Sequence, residues 1–317
     1  MRAAPDALAK ARRAADIAKA LYLHNPRVSL IDVGEKREGG ERTGRLAVRI
    51  HVTRKPIDQP LGELQAQLGA DFIDTDRIPF ETDIIEAIYA MHEAWPMAQT
   101  SQRAGTANPL VGGVSISSEY LWGYGTLGCV VTDRVSGDPM VLSNWHVLVA
   151  MLFPSSLMGV VQPGLGDGGW GQRIGAVVRH GIYRGHDAAV AVLDGGRHWS
   201  DELLDLGSIR SARSPILGET LTKSGRGSGV TTGIVEGIEG AYPMRYTGGM
   251  LEIRDIMHLG SAEGSEVSTG GDSGSVWCDP DTIDGVGLHF AGSNSPEFAL
   301  AMALPPVLDE LNVRLPG

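Results

Sequence analysis

The chain has 317 residues, a formal net charge of −11, 42% hydrophobic residues and 21% charged residues. This is the composition of a soluble globular protein with one large or two modest domains. The negative charge, without any Lys- or Arg-rich run, argues against a nucleic-acid or anionic-membrane partner, which would need a basic face.

The N-terminal twenty residues do not resemble a secretory signal. They are rich in alanine, but charged residues interrupt them, whereas a signal needs an apolar run of about 7–15 residues. No stretch approaches the roughly 20 apolar residues of a membrane span. The two cysteines, Cys129 and Cys278, are expected to be reduced and buried, although spacing alone does not exclude a bridge. These features predict a cytoplasmic protein.

Residues 5–23 are predicted to form an amphipathic helix. Apolar residues recur at helical spacing, and Asn25-Pro26 ends the pattern. A basic amphipathic helix can bind a membrane surface. The apolar stripe here is mostly alanine and buries little area, so packing on its own domain is favoured.

Two strands and a turn follow this helix. Residues 28–33 read as a strand, 38–41 as a turn and 45–54 as a strand of clean alternation. The even-numbered residues from Leu46 to Val52 face a core. The arginines and His51 then face outward, which makes His51 a surface histidine rather than a ligand.

Residues 1–104 are predicted to be a small α/β domain. A short helix over 61–68 and a strand or short helical piece over 80–86 complete it. The polar, irregular stretch 95–109 marks its boundary.

From residue 105 onward, short apolar runs alternate with glycine turns, which predicts an all-β region. A first group of strands is expected at 125–133, 140–143 and 173–180. A second group is expected at 218–224, 233–238, 250–257, 275–278, 285–290 and 298–303. Residues 305–311 read as a short closing helix.

A glycine-rich segment surrounds one serine near the end of the chain. It reads Ser-Thr-Gly-Gly-Asp-Ser-Gly-Ser-Val-Trp over residues 268–277, and its central serine is Ser273. Glycine backbones reach angles closed to other residues, so such a loop can turn several N–H groups toward one point. This suits an oxyanion hole, with the N–H groups of Gly271 and Ser273 as donors and Ser273 as the nucleophile.

A serine nucleophile needs a base, and a third group must orient that base. His146 follows the strand-like run 140–143 and is the candidate base. Asp187 leads directly into the apolar run 188–193 and is the candidate orienting carboxylate. Three other aspartates compete for this role: Asp167, Asp194 and Asp201. The order His, Asp, Ser along the chain is that of the chymotrypsin arrangement.

These three segments resemble the catalytic segments of trypsin-like serine peptidases. They read Asn-Trp-His-Val at 144–147, Asp-Ala-Ala-Val-Ala-Val at 187–192 and Gly-Asp-Ser-Gly at 271–274. The likeness covers residues 105–317 and implies a chymotrypsin-like double six-stranded β-barrel. It also implies hydrolysis of peptide bonds through a His-Asp-Ser triad and an acyl-enzyme.

Further stretches are similar to a cysteine-poor branch of this family, found in bacteria, that also includes the plant narrow-leaf protein. One reads Lys-Ser-Gly-Arg-Gly-Ser-Gly at 223–229, and another reads Val-Gln-Pro-Gly at 161–164 with Asp-Gly-Gly at 167–169. The third is Thr-Gly-Arg-Leu-Ala-Val at 43–48.

The chain departs from animal trypsins around the nucleophile. Residues 274–276 read Gly-Ser-Val where trypsins have Gly-Gly-Pro, and Val147 replaces a cysteine. In trypsin proenzymes the aspartate that corresponds to Asp272 pairs with a newly cut N-terminus, and no activation cleavage site is found here. Either Asp272 has another partner, or the loop is ordered only by substrate or oligomer contacts.

The resemblance also implies a substrate pocket beside the nucleophile. Val267 and Ser268 would lie at its base and side, and residues 288–292, with His289 and Gly292, would form the other wall. Glutamyl endopeptidases carry a histidine in a similar context, so His289 with Ser268 would favour an acidic substrate side chain. Val267 instead suggests a small apolar pocket, with His289 simply buried.

No cofactor or metal is expected. The glycines at 225, 227 and 229 lead into a strand rather than a helix, which excludes a Rossmann fingerprint. His180, His186 and His198 lack the tight spacing of metal ligands. The sequence therefore predicts a serine endopeptidase with a polypeptide substrate. The alternative is a latent or inactive protease-fold regulatory or scaffold protein, controlled by its N-terminal domain, a regulatory partner or homo-oligomerisation.

Overall fold

The structure is a computed structural model that describes residues 5–39, 41–54, 72–91, 102–120, 122–149, 158–246, 249–261, 264–294 and 297–316. The helix predicted at 61–68 lies outside the described residues, as do residues 95–101 of the stretch 95–109. The division of the chain at residue 104 therefore stays a prediction.

The N-terminal segment packs one helix on a strand hairpin. Its elements are α1 (Pro5–Tyr22), β1 (Val28–Glu38), β2 (Glu41–Val52), β3 (Thr82–Glu86) and the two-residue strand β4 (Ala90–Met91). The alanine stripe of α1 is buried against Val48 and Ile50 of β2, because small side chains let a helix approach a sheet closely. β1 and β2 are antiparallel, and β3 runs parallel to β2.

The first barrel lies between residues 110 and 208. The elements of this region are β5 (Leu110–Gly112), β6 (Ser115–Ser118), β7 (Gly125–Thr126), β8 (Cys129–Asp133), β9 (Pro139–Ser143), α2 (Trp145–Leu148), β10 (Gly159–Val161), β11 (Arg173–His180), β12 (Ala189–Leu193), β13 (Trp199–Leu203) and β14 (Gly207–Ser208). Of these, β5, β13 and β14 form a separate three-stranded sheet. The hydrogen-bonded order is β8-β9-β12-β11-β10-β6-β7. Only two residues separate β7 from β8, so the path closes into six strands when these two count as one.

The second barrel follows directly. Its strands are β15 (Thr220–Gly225), β16 (Gly229–Tyr246), β17 (Gly249–Gly260), β18 (Val276–Cys278), β19 (Gly285–Asn294) and β20 (Glu297–Ala303). The helix α3 (Leu304–Glu310) follows, and then β21 (Val313–Arg314), which pairs with β8 of the first barrel. The order β15-β18-β19-β20-β17-β16 closes on itself because β15 also pairs with β16. The predicted double six-stranded β-barrel is therefore confirmed.

Strand β16 joins the N-terminal hairpin to the second barrel. Its first residues pair with β15, while residues from Gly237 to Ala241 pair with β1. One sheet consequently runs from the second barrel through β16 into β1, β2 and β3.

The outer face predicted for β2 is in fact buried, which corrects the assignment of His51 as a surface histidine. Arg49 is 1% exposed and His51 is completely buried. Alternation identified the two faces of β2 correctly, but both are covered: α1 packs on one, and Tyr89 with His258 of β17 packs on the other. Arg45, near the start of the strand, stays exposed.

A buried ionic cluster fills this second face. Arg49 Nε donates to Asp32 Oδ1 at 2.7 Å, and Arg49 Nη2 donates to Asp32 Oδ2. His51 Nε2 lies 3.5 Å from Asp32 Oδ1, and the Tyr89 hydroxyl is 2.7 Å from His51 Nδ1. Burial raises the pKa of Asp32, but the Arg49 guanidinium beside it outweighs this effect and holds that pKa well below its usual value.

The two cysteines are buried and not joined to each other. Burial raises the pKa of the Cys129 thiol to about 12 and raises that of Cys278 as well. Because only the thiolate reacts readily, both are inert packing residues.

Replacing Asp32 by alanine should lower the free energy of unfolding by about 3–5 kcal/mol, because it leaves the Arg49 cation buried without its partner. Urea denaturation measures this. Glu38→Ala, which removes an exposed partner of Arg45, is the control and should cost no more than about 1 kcal/mol. Equal effects of the two substitutions would contradict the argument.

Acid should destabilise the fold through His51 and His258. Burial lowers the pKa of both imidazoles. Below the unfolded pKa of about 6.5, the unfolded chain binds protons that the folded chain excludes, so stability falls as pH drops, by up to about 1.4 kcal/mol per pH unit per histidine. Urea midpoints between pH 8 and pH 5 test this. His258→Gln should flatten the decline, whereas His24→Asn, at an exposed histidine, should not.

Candidate active site

Pairing of β9 with β12 brings the predicted base and its carboxylate together. His146 lies in α2, which begins two residues after β9, and Asp187 lies just before β12. His146 Nδ1 is 2.5 Å from Asp187 Oδ2, and the His146 backbone N–H donates to Asp187 Oδ1 at 3.0 Å. Asn144 Nδ2 donates to the Asp187 carbonyl at 2.8 Å. The carboxylate is fully buried. It contacts both the imidazole and the backbone N–H of His146.

Ser273 lies where the two barrels meet. Its carbonyl accepts the N–H of Thr126 in β7 at 2.7 Å. A Cβ placed on Gly125 would lie 2.6 Å from Val147 Cγ2 and 3.0 Å from the Ser273 carbonyl oxygen. The residue that follows His146 and the nucleophile backbone thus flank the same glycine.

The hydroxyl of Ser273 donates to the Phe290 carbonyl at 3.4 Å. His146 Nε2 is buried and has no hydrogen-bond partner among the described residues. The Ser273–His146 hydrogen bond is therefore not formed in this structure. Such bonds are often long before substrate binds and tighten in the complex.

The two proposed oxyanion donors face no competing acceptor. Neither the Gly271 nor the Ser273 N–H makes a hydrogen bond within the described part of the chain, whereas the neighbouring Gly274 N–H donates to the His289 carbonyl. Gly271 has φ = +97°, a conformation that a residue with Cβ adopts only under strain. This glycine turns the loop back at the nucleophile.

Asp272 has an internal partner, Lys223. Lys223 Nζ lies 2.8 Å from Asp272 Oδ2, and both side chains are completely buried. Ser228 donates to the same carboxylate from its backbone N–H at 3.0 Å and its hydroxyl at 2.6 Å. The N–H groups of Gly227 and Thr269 donate to it at 2.9 and 3.0 Å, so four residues make five contacts with this carboxylate. No cut N-terminus is needed to order this loop.

Charge complementarity keeps this carboxylate ionised. Burial raises the pKa of Asp272, but the Lys223 ammonium and the hydrogen bonds outweigh that effect and hold the pKa well below its usual value. Burial lowers the pKa of Lys223, and Asp272 opposes this shift. The ammonium also lies 5.5 Å from the Trp277 ring centroid. We assign the pair as carboxylate and ammonium.

The glycine-rich stretch 223–229 forms the cradle for Asp272, a role that the sequence reasoning missed. A Cβ on Gly225 would lie 2.2 Å from Asp272 Oδ1, and one on Gly227 would lie 2.4 Å from the Gly270 carbonyl oxygen. The signal was present as alternating glycines beside a lysine. It could not be interpreted without knowing which loop approaches them.

The predicted pocket residues Val267, Ser268, His289 and Gly292 are all buried. The N–H groups of Val267 and Ser268 donate to Glu297 Oε1 at 2.9 and 3.2 Å. The His289 ring lies edge-on to Trp277, with centroids 6.3 Å apart.

Within the described ranges, no cluster of three His, Cys, Asp or Glu side chains is placed to hold a metal ion. No helix in the same ranges has both the length and the apolar character to cross a bilayer.

Comparison with solved structures identifies the architecture. A Nocardiopsis protease (NAPase) matches with a TM-score of 0.50 at 18% identity, over 67% of this chain and 100% of that one. The chain has the chymotrypsin fold. Thermobifida fusca protease A matches with a TM-score of 0.49 at 15% identity, over 66% and 98% of the two chains. A glutamic acid-specific serine protease matches with a TM-score of 0.49 at 18% identity, over 65% and 100%.

No family model matches the chain. A search of curated proteins also found no match. At 18% identity, the structural likeness to the Nocardiopsis protease shows the chymotrypsin fold and leaves the activity to be argued from the site.

Lys223→Met should misorder the nucleophile loop and abolish reaction of Ser273 with a fluorophosphonate probe. It leaves Asp272 buried without its counter-charge, which should lower the free energy of unfolding by about 3–5 kcal/mol. Lys10→Met, which removes an exposed ion pair with Asp6, is the matched control. Full labelling and unchanged stability in Lys223→Met would show that the pair is dispensable.

Proposed function

We propose that the protein is a serine endopeptidase that cleaves peptide bonds through a His-Asp-Ser triad. His146 would take the proton from Ser273 Oγ as that oxygen attacks the carbonyl carbon, and would then protonate the leaving amine. Asp187 would fix the imidazole tautomer and stabilise the imidazolium. The N–H groups of Gly271 and Ser273 would bind the oxyanion. Water would then hydrolyse the acyl-enzyme through the same histidine.

The observation that carries this proposal is the convergence at one barrel junction. The buried imidazole of His146, whose Nδ1 contacts Asp187, has an Nε2 without a hydrogen-bond partner among the described residues. Ser273 lies on a turn where its own N–H and that of Gly271 make no hydrogen bond in the described part of the chain. Two unpaired backbone donors beside a serine, together with an unpaired imidazole nitrogen, suit acyl transfer, in which the oxyanion and the serine hydroxyl become their partners.

The alternative is a latent or inactive protease-fold regulator. A loop ordered only by substrate or oligomer contacts would favour that alternative. The internal Lys223–Asp272 pair instead supports a loop that is ordered before substrate arrives. An ordered loop is compatible with control elsewhere, and regulation through the N-terminal segment stays open.

Of the two pocket preferences, the small apolar one is better supported. The Glu297 carboxylate accepts hydrogen bonds from the N–H groups of Val267 and Ser268, so an acidic substrate side chain there would meet a like charge. Cleavage profiling on a peptide library decides between them. Cleavage after glutamate would restore the acidic preference assigned to His289 and Ser268.

We further propose membership of the cysteine-poor branch that includes the plant narrow-leaf protein, a cytoplasmic location and a polypeptide substrate. The buried, unbridged cysteines are compatible with a reducing compartment. Nucleic acid and membrane remain unexpected partners at a net charge of −11.

Ser273→Ala should reduce the rate of peptide hydrolysis by roughly 10⁴–10⁶-fold, because it removes the nucleophile. Casein hydrolysis and fluorophosphonate labelling with peptide mapping measure the effect. The matched control is Ser275→Ala, which alters a buried, unpartnered hydroxyl on the same turn and should retain labelling. Undiminished activity in Ser273→Ala would overturn the assignment, and a folded wild type that never labels would favour the scaffold.

A further inference from the structure

One edge of β19 runs past the nucleophile. Along this edge β18 pairs with β19 from Cys278 to Val276, and the backbone contact continues to His289, which exchanges hydrogen bonds with Ser275 and Gly274. The next residue, Phe290, accepts the Ser273 hydroxyl. The pairing of β18 with β19 ends at Leu288, and the backbone contacts of this edge with residues 274–275 end at His289. From Ala291 onward this edge of β19 can pair with a different strand.

The chain's own strand β4 occupies this continuation of the edge. Met91 pairs with Ala291, and Ala90 pairs with Gly292, in antiparallel register. The opposite edge of β19 is already taken by β20, through Leu300 and Ala299. β4 therefore lies on the same side of β19 as Ser273.

The direction of β4 matches that of the acyl part of a substrate. Its chain runs from Ala90, opposite Gly292, to Met91, opposite Ala291, and so advances toward Phe290 and Ser273. In any peptide the acyl part lies N-terminal to the scissile bond, so it must also run toward the nucleophile from its N-terminal end. Extended peptides commonly bind by adding a strand to such an edge.

β4 is held in place by the segment just before it. The Ser29 hydroxyl donates to the Ala87 carbonyl at 2.7 Å, and the Ala87 N–H donates to the Val52 carbonyl at 3.0 Å. Tyr89 is buried, and its hydroxyl lies 2.7 Å from His51 Nδ1 in the ionic cluster of Asp32 and Arg49. The buried cluster thus anchors the strand that enters the cleft.

We propose that β4 is a built-in inhibitor, which fills in cis the sheet edge that an extended polypeptide substrate needs. Substrates gain this edge only when β4 is displaced. The inference rests on the proposed endopeptidase function and specifies how that same site is regulated. A small ester that needs no strand edge should react freely, whereas an unfolded protein should react slowly.

The test compares three probes on the full chain: a fluorophosphonate, p-nitrophenyl acetate and fluorescent casein. The variants are Ala90→Pro and Met91→Pro, each of which removes a backbone donor from β4. Both are made because neighbouring residues of an antiparallel pair alternate in hydrogen bonding. Met91→Ala is the control, since it truncates the side chain and keeps the N–H.

Casein hydrolysis should rise roughly tenfold or more in at least one proline variant, as expected when a competent state populated at about 0.1–10% becomes dominant. The ester rate and fluorophosphonate labelling should stay within about twofold of wild type, and Met91→Ala should behave as wild type. Casein hydrolysis that does not rise in either proline variant, with labelling intact, overturns the inhibitor.

Tyr89→Phe is a second test, needed if both proline variants misfold and no longer react with the fluorophosphonate. It removes only the hydroxyl contact with His51, keeps the backbone of β4, and should raise casein hydrolysis with labelling unchanged. No rise in casein hydrolysis, with labelling intact, overturns the inhibitor. Failure of every protein, wild type included, to label at Ser273 instead refutes the proposed endopeptidase, which distinguishes the two failures.

Discussion

The buried ion pair between Lys223 and Asp272 is the constraint on which the candidate site depends. Asp272 directly precedes Ser273, and its carboxylate is completely buried. A buried carboxylate needs a counter-charge and hydrogen-bond donors in direct contact. Lys223, Ser228 and the backbone of the glycine-rich turn supply them. Such a pair adds little net stability compared with apolar packing, but breaking it is costly. It therefore selects one loop conformation.

That single conformation has chemical consequences. Because Lys223 and the glycine-rich turn fix the Asp272 side chain, they also fix the backbone on both sides of it. Gly271, the preceding residue, has a positive φ. The N–H groups of Gly271 and Ser273 make no hydrogen bond within the described residues, and the Ser273 carbonyl accepts a hydrogen bond from Thr126 in β7 of the first barrel. The two barrels thus contribute different parts: the first holds His146 with Asp187, and the second presents the serine.

The N-terminal segment and the second barrel share one sheet, because β1 pairs with β16. A second buried ionic cluster, built on Asp32 and Arg49, seals this junction. Tyr89 contacts this cluster through His51 and lies two residues before Met91, which pairs with β19 near Ser273. The proposed restraint on the proposed peptidase would therefore come from a segment that is already part of the fold.

Local sequence determined the fold class and most of the strands and supplied the candidate triad, because side-chain alternation, glycine turns and the segments around His146, Asp187 and Ser273 are short-range signals. It also identified that Asp272 lacked the partner it has in trypsins. What it could not supply was any fact that depends on which distant segment covers a surface. Lys223 is 49 residues from Asp272, and Arg49 is 209 residues from His258. Periodicity states which side of a strand a residue faces but not what packs there, so the burial of His51, the cradle of Asp272 and the placement of β4 on β19 were decided only by the tertiary structure.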